Sequence, residues 1–315
     1  MPVFRHLARG FAACAAIVVL AGCNPAAAPS ATADATHDEL AKIRARGTLL
    51  LPTDPAYPPS SFAVEGAARS AGTTCNSDEL TRAELDGYDV AVGNLIADAI
   101  GVEPCYVVPT WNEMLAGHWA DRWDIAFASI GVEQDRMDQL YFTKPYIGSP
   151  ERLWVRNDDA AQQMSDLDGR RIGVCTACWA DLYLQKKLSV PGMQIDFKVD
   201  DAQIVGYAVE ASGLQDVVDG KLDAFLCADT VAQGLIDAGA PLRGIEPAAY
   251  IGIPAGAIDK SSGLTEKPLY DLVNDTLAAR FADGTLKKLS MQYFGHDYAT
   301  AAAGIDPTAF GQDVR

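Results

Sequence analysis

Apolar positions along this chain fall in short blocks whose spacing alternates between strand-like runs and helical stripes. Leu49, Leu50 and Leu51 form a run that ends at Pro52 and leads through Tyr57 to Pro58 and Pro59, which predicts a buried strand entering a proline-rich turn. Val92, Leu95, Ile96, Ala99 and Ile100 mark one face of a helix, and Gly101 stops it. A strand is expected over residues 105–108, and Trp111 heads a helical stretch running to Asp124, with Trp119 and Trp123 as packing residues. Residues 125–128 are apolar and of strand length, broken by Ser129, Ile130 and Gly131. The polar segment that follows carries Met137 and Leu140, spaced for a short helical turn. Further on, Leu269, Leu272, Val273, Thr276, Leu277 and Phe281 line a helix that stops at Asp283 and Gly284, and Leu286, Leu289 and Tyr293 line a second. The stretch after it is poor in large apolar side chains and reads as a peripheral tail.

The break at Ser129 to Gly131 leaves free backbone groups at a strand end, where ligands of open α/β sheets sit. The helical turn that follows sets Arg136 beside those groups. A carboxylate suits such a site, because guanidinium is a planar two-pronged donor and a helix start adds N–H groups. A surface arginine paired with Asp135 or Asp138 is the competing reading.

The N-terminal residues carry an address. Arg5, His6 and Arg9 precede an apolar run over 11–21 that is too short for a stable membrane span, and Leu20-Ala21-Gly22-Cys23 makes a small-residue cleavage site. Residues 23–37 are mostly Ala, Pro, Ser and Thr and read as a flexible tether. About 275 residues remain, beyond the size at which one core stops growing, so two lobes are expected. A net charge of −17 argues against nucleic acid, which needs clustered Lys and Arg. The four histidines, His6, His37, His118 and His296, show no ligand spacing with the cysteines, so neither a metal nor a cofactor is expected.

Residues 124–146, DIAFASIGVEQDRMDQLYFTKPY, resemble the core signature of the type II periplasmic binding proteins for polar amino acids, the bacterial extracellular solute-binding proteins of family 3. Phe142-Thr143-Lys144-Pro145-Tyr146 supplies the end of that signature, and the resemblance extends over roughly residues 40–297. It implies a two-lobed α/β fold with two hinge crossovers: lobe one from 38–152, lobe two from 153–250, and a return to lobe one with the tail over 251–315. Residues 20–23 resemble the lipobox of bacterial lipoproteins, which implies a signal peptide over 1–22, acylation of Cys23 and a tether to the periplasmic face of the inner membrane or to the cell surface. The implied partners are a small polar ligand with a carboxylate, an ABC permease and the membrane, with the chain itself a monomer. The same fold also serves cyclohexadienyl dehydratases, in which case Glu133 near Arg136 would act as general acid, and a ligand-sensing accessory lipoprotein is a third class.

Carried over residue by residue, the resemblance puts the ligand carboxylate on Arg136, a second polar group on Ser129 and Gly131, apolar walls at Tyr57 and Trp111, and the lobe-two closure at Cys178, Trp179 and Asp229. The match has departures. Gly131 and Glu133 stand where the family usually has Ser/Thr and Thr. Ala177-Cys178-Trp179 replaces a Gly-Thr-Thr segment, so that Trp179 either walls a smaller pocket or packs as core. Asp229 lies one position past the usual amine-binding carboxylate, and either reaches the amine through a shifted turn or the contact is lost. Five cysteines besides Cys14 and Cys23 lie in an oxidising setting, an odd number. Cys75 and Cys105 are the expected first-lobe pair, stapling a loop insertion over 64–84. Cys178 with Cys227 is the expected second-lobe pair, with a small Cys175 to Cys178 ring as the alternative.

Overall fold

The leucine run forms the strand Thr48–Pro52, which pairs in parallel with Glu103–Val107, Leu50 standing opposite Cys105. Parallel strands need a crossover, and here the helix Tyr88–Ile100 supplies it, burying Val92, Ile96 and Ile100 before Gly101 closes it in the left-handed conformation. This is a computed structural model that describes residues 37–315. The expected signal segment, the acylated Cys23 and the tether up to residue 36 lie outside the described residues. Among those described, no helix is long and apolar enough to cross a membrane.

Leu80–Thr81 adds to the other edge of Glu103–Val107, antiparallel. The loop that brings it there is bonded to the same strand by a Cys75–Cys105 disulfide. A second sheet is built around Ser149–Arg156, which runs against each of its neighbours: Ala224–Ala228, Leu242–Gly244 and Tyr250–Gly252. Beyond Ala224–Ala228 lie Arg171–Cys175 and Gln203–Tyr207, both parallel to it. Ser149–Arg156 and Tyr250–Gly252 thus lie side by side, with Glu151 directly opposite Tyr250. One core gathers Leu49, Leu51, Ile96 and Leu277 under the first sheet, and another gathers Leu214, Val217 and Phe225 under the second. A third runs from Trp119, Trp123 and Ile130 to Trp179, Tyr183 and Tyr250, joining the two halves.

Some elements depart from expectation. Residues 125–128 are extended and buried but have only an isolated bridge, Ala126 exchanging both backbone bonds with Ala257 at 2.9 Å. The helix from Trp111 ends at Leu115, because Gly117, His118, Ala120 and Asp121 adopt left-handed backbone that cannot continue a helix. Trp119 and Trp123 pack as expected, their rings 5.3 Å apart. The two C-terminal helices are Lys267–Ala282 and Thr285–Phe294. The tail is not peripheral: Phe310 is buried, and the Gln312 amide bonds both the N–H and the C=O of Phe142 at 2.7 and 2.8 Å. The ring and the amide help to dock it, together with Lys144, whose ammonium bonds the Ala303 and Ile305 carbonyls, and average composition hides all three.

Candidate functional site

The turn predicted after Gly131 is the 3-10 segment Arg136–Asp138, and it carries Arg136 into a site where the side chain is only 8 % exposed. Glu133 starts the turn, its carboxylate accepting the Arg136 N–H at 3.2 Å. The guanidinium donates from Nη1 to the Gly131 carbonyl and from Nη2 to the Ala177 carbonyl, both at 3.0 Å. Its carbon stands 5.9 Å from the centre of the half-buried Trp111 ring, a cation–π arrangement. No carboxylate among the described residues pairs with it, and burial pushes its pKa down to about 10. A buried guanidinium with two neutral acceptors keeps N–H groups and a full charge for an anion. The surface-arginine reading, with Asp135 or Asp138 as partner, does not hold.

Ser129 does its work inside the scaffold. Its backbone is left-handed, at φ 52°, which aims the side chain at Asp89. Ser129 Oγ donates to Asp89 at 2.8 Å, Tyr146 Oη donates to the other Asp89 oxygen at 2.9 Å, and the Ser129 N–H donates to Tyr146 Oη at 3.0 Å. The expected direct contact from these groups to a ligand is therefore replaced by a closed network that sets the turn ahead of Gly131. Asp89 is buried, and burial pushes its carboxyl up to about 7 against the lowering effect of its two hydroxyl partners. Sequence reasoning missed Asp89; an acid in the first turn of an otherwise apolar helix was the available signal.

Gly131 and Trp179 are one feature. A Cβ built on Gly131 would stand 2.5 Å from the Trp179 indole, so the ring occupies the space where any side chain at 131 would go. The two departures from the family pattern, a glycine for Ser/Thr and a tryptophan for Thr, therefore compensate each other in volume. Trp179 is buried as core, between Gly131 and the Tyr250 ring 5.8 Å away, and its Nε1 has no hydrogen-bond partner. Trp179–Leu184 is a short helix whose N-cap is Cys178. The expected Cys178–Cys227 disulfide is wrong: Cys178 is bonded to Cys175, the small-ring alternative, and Cys227 is a free, buried thiol on Ala224–Ala228. Spacing decides this, since residues three apart across a left-handed Ala177 come within 5.6 Å of each other at Cα. That ring shapes the loop whose Ala177 carbonyl holds Arg136. Cys75 and Cys105 stand close to Glu79, but each sulfur is spent on the other.

Asp229 is not free for an amine. It starts the helix Asp229–Asp237 and accepts from Arg152 Nε at 2.9 and 3.1 Å, and Arg152 also pairs with Glu246. Tyr57 is half-buried and donates to Glu210 Oε2 at 3.0 Å, a bond between residues 153 positions apart. Burial holds the Glu210 carboxyl up at about 7, with the Tyr57 bond pulling it down. Burial also pushes Glu151 well above the usual carboxylate range, with Glu210 and then Asp229 adding to the effect. Glu151 and Glu210 are thus buried-side acids without a basic partner among the described residues, and no motif picks out either. A cavity of about 780 Å³ opens elsewhere, lined by His37, Met137, Lys260 and Arg315, but Lys260 there already bonds the Met137 carbonyl and the buried Glu266 accepts from the Ser262 hydroxyl. The buried cation marks the site better than the volume does.

Comparison with known proteins agrees with this geometry. The profile of the bacterial extracellular solute-binding proteins, family 3, matches residues 51–296. The L-cystine-binding protein TcyJ of Escherichia coli (strain K12) is 25% identical over 260 residues, covering 82% of this chain and 86% of that protein. The histidine-binding periplasmic protein of Salmonella typhimurium is 22% identical over 224 residues, covering 68% and 81%. Among solved structures, the substrate-binding protein AbpA of an amino acid ABC transporter from Streptococcus pneumoniae, bound to L-arginine, aligns with a TM-score of 0.63 at 20% identity over 82% of this chain and 98% of that one. The ancestral amino acid-binding protein AncCDT-1, a precursor of cyclohexadienyl dehydratase, aligns with a TM-score of 0.64 at 22% identity over 81% and 99%. These neighbours share the two-lobed fold of type II periplasmic binding proteins, and the named relatives are binding proteins, not enzymes. The chain belongs to the bacterial extracellular solute-binding proteins of family 3.

Proposed function

We propose that this chain is the solute receptor of an ABC-type importer and that it captures an amino acid between its lobes, the α-carboxylate on Arg136. The observation that carries this is the guanidinium itself: buried, without an ion-pair partner among the described residues, and bridging the carbonyls of Gly131 and Ala177, which lie far apart in the chain. A ligand carboxylate on its remaining N–H groups would hold the two sides together, so binding would favour the closed state in proportion to that contact. The relatives that bind cystine and histidine, and the arginine-bound structural neighbour, support an α-amino acid as the class. Trp111 would wall the site, with lobe one over 38–152, lobe two over 153–250 and the return over 251–315. Glu133 is committed to the Arg136 N–H, which suits a turn start and not a general acid. Leu20-Ala21-Gly22-Cys23 supports a lipid anchor at Cys23.

Isothermal titration of the full chain with the L-amino acids tests the reading. At least one should bind, and Arg136→Met should abolish that binding. No binding by any amino acid, or equal affinity in the variant, refutes it.

A further inference from the structure

The two disulfides among the described residues sit in different surroundings. Cys75–Cys105 is buried, its cysteines 8 % and 0 % exposed, and it staples residues 30 positions apart. Cys175–Cys178 spans three positions, and both of its residues are half-buried, flanking the exposed Thr176. A bond across so few residues takes little freedom from the unfolded chain, so its effect is local. What it holds is Ala177, a non-glycine residue at φ 59°, in the left-handed region that L residues avoid. In that conformation the Ala177 carbonyl accepts from Arg136 Nη2 at 3.0 Å, and the Ala177 N–H donates to Asp181 Oδ2 at 3.0 Å. The third cysteine of this region, Cys227, is 1 % exposed, and burial pushes its thiol well above the usual range, so it neither attacks the ring nor meets an outside reagent.

We propose that Cys175–Cys178 is a site of thiol–disulfide exchange with an external dithiol, and that opening it frees the Ala177 carbonyl from Arg136. One thiolate of the dithiol attacks a sulfur of the pair, forming a mixed disulfide and expelling the other cysteine as a thiolate, which takes up a proton. The second thiol of the reagent, as its thiolate, then attacks the reagent's own sulfur in the mixed disulfide. That step closes the reagent's disulfide and expels the second cysteine, which is protonated in turn. Two electrons and two protons pass to the chain, and the dithiol leaves oxidised. Exposure selects this pair, since exposed disulfides are the labile ones and the buried staple is shielded. With the ring open, Ala177 relaxes out of the left-handed region, and its carbonyl swings away from the guanidinium. The oxidation state of the pair thus sets how firmly Arg136 is held, whichever solute the chain carries.

Treating the native full chain with dithiothreitol, then with iodoacetamide, and mapping the labelled peptides by mass spectrometry tests the exchange. Cys175 and Cys178 should be alkylated together at least about tenfold faster than Cys75, Cys105 or Cys227. Equal rates for the two disulfides, or a Cys175–Cys178 bond that opens only in denaturant, overturn the proposal. Phenylglyoxal, which modifies accessible guanidinium groups, tests the release of Arg136. In Cys175→Ser/Cys178→Ser, with no reductant present, Arg136 should be modified several-fold faster than in the oxidised wild type, with the exposed Arg82 as the reference. Thermal melting confirms that the variant is folded, and the same labelling of reduced wild type, freed of dithiothreitol under argon, gives a second measurement that needs no substitution. An Arg136 rate that matches the oxidised wild type in both overturns the proposal as well.

Discussion

Arg136→Met should separate binding from stability, abolishing the first and leaving the second nearly unchanged. At pH 7 the wild-type guanidinium is charged in a buried site that pushes its pKa from 12.5 down to about 10. A basic group with a depressed pKa destabilises the fold at every pH below the depressed value, and the shift of roughly 2.5 units corresponds to about 3 kcal/mol. Methionine removes that charge and fills most of the volume. Against the gain stand the two hydrogen bonds to Gly131 and Ala177, at about 1.5 kcal/mol each because the donor is charged. The two sides nearly cancel, so the urea midpoint of the variant should stay close to that of the wild type. Binding does not stay level. A carboxylate held by paired charge-assisted bonds at roughly 1.5 to 3 kcal/mol each loses about 3 to 5 kcal/mol, a fall of at least about 100-fold in affinity. Urea unfolding and calorimetric titration on the same preparation read both effects. A variant that unfolds far more easily than the wild type would show that Arg136 is a structural residue, and one that binds normally would remove the carboxylate from this site.

Gly131→Ser should weaken ligand binding or closure, because its Cβ would lie 2.5 Å from the Trp179 indole, and Trp179→Thr in the same chain should restore much of the loss. Simple additivity of the two in a double-mutant cycle would show that they are independent. Asp89 makes stability depend on pH: its carboxyl is raised to about 7, so the stability it contributes is full below about pH 4 and is lost as pH rises through 7, up to about 4 kcal/mol. Asp89→Asn should flatten urea midpoints between pH 5 and 8 relative to the wild type, and an unchanged slope would refute the assignment. Cys175→Ser/Cys178→Ser should lower affinity, since the ring that positions the Ala177 carbonyl against Arg136 is gone. Affinity equal to the wild type in calorimetry would mean the loop holds its shape without the bond.

The strand at Leu49 to Leu51, the helix stripe ending at Gly101 and the turn bearing Arg136 were legible because each is a local pattern with its own punctuation. The tail was misread for the opposite reason: Phe310 and Gln312 act singly, with no periodicity to announce them. Residues 125–128 look like a strand because they are apolar on both faces, yet only Ala126 finds a bridge partner.

By itself the sequence determined the class of fold and the family and singled out Arg136 as a candidate, since periodicity, turn residues and motif order are local properties of the chain. Tertiary structure decided what each charged or sulfur-bearing group would meet. Cys178 bonds Cys175 and not Cys227, Asp229 is taken by Arg152, Ser129 turns inward to Asp89, and Glu151 stands opposite Tyr250. Those partners lie up to 153 positions apart, as Tyr57 and Glu210 do. Sheet register and hinge geometry bring them together, and the cost of burying a charge then fixes which pairs form.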